Sequence, residues 1–168
     1  MDTPTEAEPA VLAHRDGGVL ELTLHYPQRR NALAVPLRVA LIERLRAALP
    51  DPEVRAIVLT GSGRHFCAGG DISGMDGVTP MGARTRLGIA HEMIRMLVQG
   101  EKPVIAAVEG HAAGAGVSLA AVCDLVVAAR DATFTCSFNR IGLVPDLGAA
   151  WVLPLRMGMG RAKKLMML

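Results

Sequence analysis

Apolar residues recur along the chain with two distinct periods. From Val19 to Leu24 the run V-L-E-L-T-L alternates, which sets Leu20, Leu22 and Leu24 on one face of a strand and leaves Val19 off that face. Pro27 ends it. Leu37, Leu41, Leu45 and Leu49 then fall four apart, with Arg38, Glu43, Arg44 and Arg46 mostly elsewhere around the wheel, as an amphipathic helix requires. Pro36 suits its first turn, and Pro50 and Pro52 close it. Ala56 to Thr60 (A-I-V-L-T) is a short unbroken apolar run, which predicts a central parallel strand buried on both faces.

Residues 61–82 hold seven glycines and little apolar period, which predicts a long loop of the kind that carries function. A helix follows over Ala83 to Val98, then a strand over Pro103 to Val108, then a second glycine cluster at Gly110, Gly114 and Gly116. Leu125 to Ala128 and Thr133 to Thr135 read as two more short strands, and a further helix begins near Gly148. Strand, helix and glycine turn in alternation mark an α/β chain with parallel crossovers. Residues 1–10 are polar with two prolines and read as a flexible arm, so the folded domain is expected over 11–168. The last eight residues, R-A-K-K-L-M-M-L, start a helical pattern with no glycine or proline to stop it, which predicts a core domain incomplete at its C-terminal end.

Composition narrows the function classes. At 168 residues, 51% hydrophobic and 20% charged, the chain has the apolar material for one folded domain. A net charge of +2 and 3% aromatics leave no footprint for nucleic acid. Cys67, Cys123 and Cys136 stand in neither a disulfide nor a zinc spacing and read as buried small residues, so no metal is expected. No run reaches the roughly 18 apolar residues of a membrane span. The expectation is a cytoplasmic protein.

Each glycine cluster follows a buried strand and leads toward a helix, which gathers unobstructed backbone N–H groups at helix N-termini. Plain tight turns explain glycines too. A dinucleotide fingerprint fails because Leu119 stands where the third glycine belongs, and no glycine precedes Lys-Ser or Lys-Thr as a phosphate loop requires. Gly116-Val-Ser118-Leu-Ala120 comes within one residue of a nucleophile elbow, but all five histidines precede Ser118. What remains is an oxyanion hole of two peptide N–H groups, one from each loop.

Taken in order, Arg64 to Ile72 (R-H-F-C-A-G-G-D-I), Lys102 to Gly116, Cys123 to Ala129 and Arg140 to Asp146 (R-I-G-L-V-P-D) resemble the crotonase superfamily, the enoyl-CoA hydratase/isomerase family. Pro27 to Leu33, P-Q-R-R-N-A-L, is similar to the same family's early signature. The resemblance implies a spiral of ββα units, a homotrimer or hexamer, and acyl-coenzyme A thioester substrates with no metal or redox cofactor. It assigns the oxyanion hole to Gly70 and Ala115, and the pantetheine arm and acyl group to Gly70, Asp71, Ile72 and Ser73. Arg29 and Arg30 suit coenzyme A phosphates, since a guanidinium forks onto phosphate; a solvated turn explains them equally.

The resemblance also bears on the reaction. The family's hydratases use two glutamates, and the matching positions here are Ser118 and Phe138, neither of which is a base at neutral pH. Asp146 stands where the family's isomerases keep a single acid/base, and one carboxylate suits an isomerase. Its plainer reading is a turn residue or a helix cap. Asp71 and Asp124 read mainly as local scaffolding. An acyl-CoA isomerase is the leading expectation. A hydratase or other thioester enzyme, and an inactive fragment or binding subunit, are the alternatives.

Overall fold

Asp16-Gly17-Gly18 is where the chain first reverses. The computed structural model describes residues 8–73, 75 and 77–168, and in it Gly17 takes a left-handed φ of 53°. The turn folds β1 (Ala10–Asp16) antiparallel onto β2 (Val19–His25), pairing Asp16 with Val19. β1 escapes a pattern search because only Val11 of its seven residues is fully buried. The signal for it is the Asp-Gly turn, which favours a tight hairpin. Residues 1–7 of the expected arm lie outside the described residues.

β2 buries Leu22 and Leu24 completely and hands the chain to α1 (Val35–Ala48), whose Leu37, Leu41, Ile42, Leu45 and Ala48 face the core. The helix returns the chain to β3 (Ala56–Gly61), which lies parallel to and between β2 and β4 (Val104–Val108). Ile57 and Leu59 are buried, whereas Val58 on the opposite face is half-buried, so one face of this central strand is less covered than its composition predicts. α2 (Pro80–Gln99) connects β3 to β4 and starts three residues before the expected Ala83, because the Thr79 hydroxyl caps it by accepting the Gly82 N–H at 3.1 Å.

After β4 the pattern tightens. β5 (His111–Ala113), α3 (Ala115–Val122), β6 (Leu125–Ala128) and β7 (Thr133–Thr135) follow with minimal connections. The larger sheet runs β1-β2-β3-β4-β6, and β5 pairs in parallel with β7 as a second sheet. This is an α/β fold of ββα type. A short turn at Ser137–Ile141 leads to α4 (Ala149–Met157) and α5 (Met159–Met167). Every residue of α3 is buried, so this short helix is the pin around which the elements pack. β6, at the sheet margin, is exposed along its whole length. Among the described residues no helix is long and apolar enough to cross a membrane.

One helix position departs from the wheel. Arg38, expected on the outer side of α1, is buried with only 8% of its surface exposed. It stands four residues before the buried Ile42 and therefore shares its face.

Candidate functional site

Two turns meet at the centre of the molecule. The first, Phe66 to Gly70, is held on both flanks. On one side Phe66 N–H donates to Glu109 O at 2.9 Å, Cys67 N–H to His111 O at 3.1 Å, and Ala113 N–H to Cys67 O at 2.9 Å. On the other, Leu33 N–H donates to Gly69 O at 2.7 Å and Ala68 N–H to Arg30 O at 2.9 Å. Gly69 carries φ 104°, and a Cβ there would come within 2.8 Å of Ala113 O and 3.5 Å of Ala115 N, so only glycine lets this turn lie against the start of α3.

The second is the turn at Gly114, which follows β5 and runs into α3 at Ala115. Gly116 packs so closely that a Cβ would stand 2.3 Å from Cys67 O. The result is that the N–H groups of Gly70 and Ala115 emerge from neighbouring turns, and neither makes a hydrogen bond among the described residues. Gly70 is exposed and Ala115 is the first residue of α3, where the helix dipole favours negative charge.

Asn31 fixes the approach to the first turn. Fully buried, it accepts from Tyr26 N–H at 2.9 Å and the Ser62 hydroxyl at 3.2 Å, and donates to Ser62 O at 2.9 Å and His65 O at 2.7 Å. Its φ of 57° is one that asparagine tolerates. Sequence reading had Asn31 only as part of a signature string. Its position inside the turn that follows β2, beside a left-handed Arg30, is what makes it a latch.

Asp146 sits on a third turn. Leu147 (φ 50°) and Gly148 (φ 88°) reverse the chain after it, and a Cβ on Gly148 would approach Val122 of α3 to 2.9 Å. Gly148, not Asp146, is the N-cap of α4. The Asp146 side chain is thus not spent on a cap: its Oδ1 is buried and finds no hydrogen-bond partner among the described residues. Burial pushes its carboxyl above the ordinary aspartate value, while Arg38, then His91 of α2 and its own backbone amide, pull it back.

Arg38 reaches the first of these turns from α1. Its Nε donates to Leu33 O at 2.7 Å and its Nη1 to Arg86 O at 3.4 Å, and a Cβ on Gly70 would be 3.9 Å from its Nη2. Sequence reading missed this residue, and Ile42 one turn on was the signal that could have found it.

The remaining candidates divide. Asp71 accepts from Ser73 N–H at 3.0 Å and the Ser73 hydroxyl at 2.7 Å, bonds that hold its carboxyl below the ordinary value, with Arg29 and Arg86 adding smaller pulls. Ile72 is 59% exposed beside it, and Arg29 is exposed on the Pro27–Arg29 turn. Asp124 accepts the Val104 N–H at 2.8 Å and secures β4. Ser118 is buried one turn after Ala115 with no partner for its hydroxyl among the described residues, and Phe138 belongs to the core. All three cysteines are buried, and burial pushes the thiols of Cys67 and Cys123 up to about 12, which leaves them inert. A separate hollow of about 480 Å³ lies between β7 and α5, lined by Arg140, Arg161 and Lys164 among others, and none of Gly70, Ala115 and Asp146 borders it.

An α/β scaffold of ββα type with these sequence strings defines the class. The Enoyl-CoA hydratase/isomerase family profile matches residues 14–168, and the chain belongs to that family, within the crotonase superfamily. A 1,2-epoxyphenylacetyl-CoA isomerase of Escherichia coli is 42% identical over 163 residues, which is 94% of this chain and 62% of the relative. A probable enoyl-CoA hydratase of Rhodobacter capsulatus is 44% identical over 147 residues, 86% of this chain and 56% of the relative. The crystal structure of an enoyl-CoA hydratase from Polaromonas sp. JS666 superposes with a TM-score of 0.90 at 42% identity, over 94% of this chain and 63% of that one. The chain therefore spans about six tenths of the length of these relatives.

Proposed function

We propose that the chain carries the catalytic core of an acyl-CoA isomerase. The observation that carries this reading is the buried Oδ1 of Asp146, without a partner among the described residues, in a chain whose two positions assigned by resemblance to a hydratase's glutamates hold Ser118 and Phe138. The thioester oxygen of an acyl-CoA would sit between the N–H groups of Gly70 and Ala115, each donor stabilising the developing enolate by about 2.7–4 kcal/mol. Asp146 would take the proton next to that carbonyl and return it further along the acyl chain, which needs one movable proton and no second carboxylate. Asp71, Ile72, Ser73 and Arg29 would border the coenzyme A arm. A homotrimer or hexamer, as the family resemblance implies, belongs to the same proposal.

The experiment is conversion of a 3-enoyl-CoA to its 2-enoyl isomer, followed by the absorbance of the conjugated thioester. Asp146→Asn is expected to lower turnover by roughly 10²–10⁴-fold while leaving acyl-CoA affinity nearly unchanged. Undiminished turnover in that variant would defeat the assignment. Rapid hydration of crotonyl-CoA by the native chain would favour the hydratase alternative, and failure to retain any acyl-CoA would favour a fragment without activity.

A further inference from the structure

We propose that Arg38 is a positioning residue of this site: its buried guanidinium, fixed against the Gly70 turn, is the standing counter-charge for the Asp146 carboxylate before proton transfer and for the substrate oxygen after it. The inference rests on the isomerase reading for its catalytic meaning.

Two carbonyls set the guanidinium's orientation. Leu33 O takes Nε, and Leu33 is itself bonded to Gly69, so the cation is tied to the turn that presents the Gly70 N–H. Arg86 O takes Nη1. Nη2 makes no hydrogen bond among the described residues and faces Gly70. A charged group withdrawn from water requires an opposite charge, and the structure provides one. Asp146 lies within electrostatic reach, and the two side chains stabilise each other's charged forms although no ion pair within 4.0 Å joins them.

That gap matters. A forked salt bridge would occupy both carboxylate oxygens and tie the base down, whereas a separated pair leaves Oδ1 open to a substrate proton. When the C–H bond next to the thioester breaks, the proton goes to Asp146 and the electron pair passes into the enolate, whose oxygen would rest at Gly70 and Ala115. Negative charge then moves from one side of Arg38 to the other. The charge balance around the guanidinium is the same before and after. Among the described residues, the other groups facing the pair are His91 and Arg86 from α2, Asp71 from the neighbouring turn, and the uncharged thiol of Cys67.

Carboxyl carbon-13 NMR of the aspartate-labelled 168-residue chain, with Asp146 assigned by its loss in Asp146→Asn, tests this. The native chain should show Asp146 ionised at pH 7. In Arg38→Met its titration midpoint should move upward, and the acidic limb of kcat/KM should move with it, with kcat reduced more than KM rises. Arg38→Lys should keep both near the native positions. An unmoved midpoint in folded Arg38→Met overturns the inference, as does a protonated Asp146 at pH 7 in the native chain, a result that needs no variant to fold. A moved midpoint in a chain that isomerises no 3-enoyl-CoA supports the charge coupling and ends the isomerase reading alone.

Discussion

At the residue scale, the site holds a carboxylate in surroundings that disfavour its charge. Because Asp146 titrates above its unfolded value, the folded state binds its proton more tightly than the unfolded chain does. Its contribution favours folding in acid and is lost as pH rises through the folded midpoint. Asp146→Asn is neutral at every pH, so it should raise the unfolding temperature at pH 7 and show no gain below the ordinary aspartate range. Thermal unfolding of both proteins across pH 3 to 8 checks the sign; a variant less stable at neutral pH would contradict it. Asn31 illustrates the opposite case, a buried polar group whose four hydrogen bonds cancel the cost of burying it.

At the scale of elements, glycines divide by what surrounds them. Gly116 in α3 has the Cys67 carbonyl where its Cβ would be, while Gly88 in α2 has nothing within 4 Å. The same change to alanine should therefore have opposite signs. Gly116→Ala should destabilise by about 1–3 kcal/mol, since α3 must part from the Phe66–Gly70 turn. Gly88→Ala should stabilise by about 0.5–1 kcal/mol by restricting the unfolded backbone and favouring helix. Denaturant unfolding of the two variants separates them, and equal shifts would refute the account.

The element scale also shows how much was legible beforehand. β2 and α1 announce themselves because one face is apolar and the period is clear, and β4 and β6 because each is a short unbroken apolar run. β1 does not, since six of its seven residues are not fully buried and pairing with β2 rather than packing holds it in place. The two glycine turns were readable as a place where N–H groups gather. That Gly70 and Ala115 keep theirs unbonded depends on bonds between residues 36 to 46 apart, to Leu33 and to Glu109, His111 and Ala113, which no local pattern encodes. Arg38 was misread for a related reason: a charged residue is assigned to solvent by type, and only the tertiary carbonyls of Leu33 and Arg86 draw it inside.

For the whole molecule, the feature that matters is an apolar surface left open. Leu125 and Val127 on β6 are each 62% exposed, Val144 is 79% exposed, and Trp151 and Leu155 lie four apart on α4 at 56% and 69%. Exposed apolar side chains, where they gather into a patch, mark interaction sites on proteins. The 168-residue chain should bind a hydrophobic dye and self-associate as its concentration rises, and Leu125→Lys with Val127→Glu should reduce both. Sedimentation velocity showing a single monomer at all concentrations, with no dye fluorescence, would count against it.

The two margins of the larger sheet are not alike. β1 ends in Arg15 and Asp16, charges that discourage a stranger from zipping alongside. β6 reads L-V-V-A, without a charge or a proline. An extended segment added to this sheet would therefore meet less opposition beside Leu125 to Ala128 than beside β1.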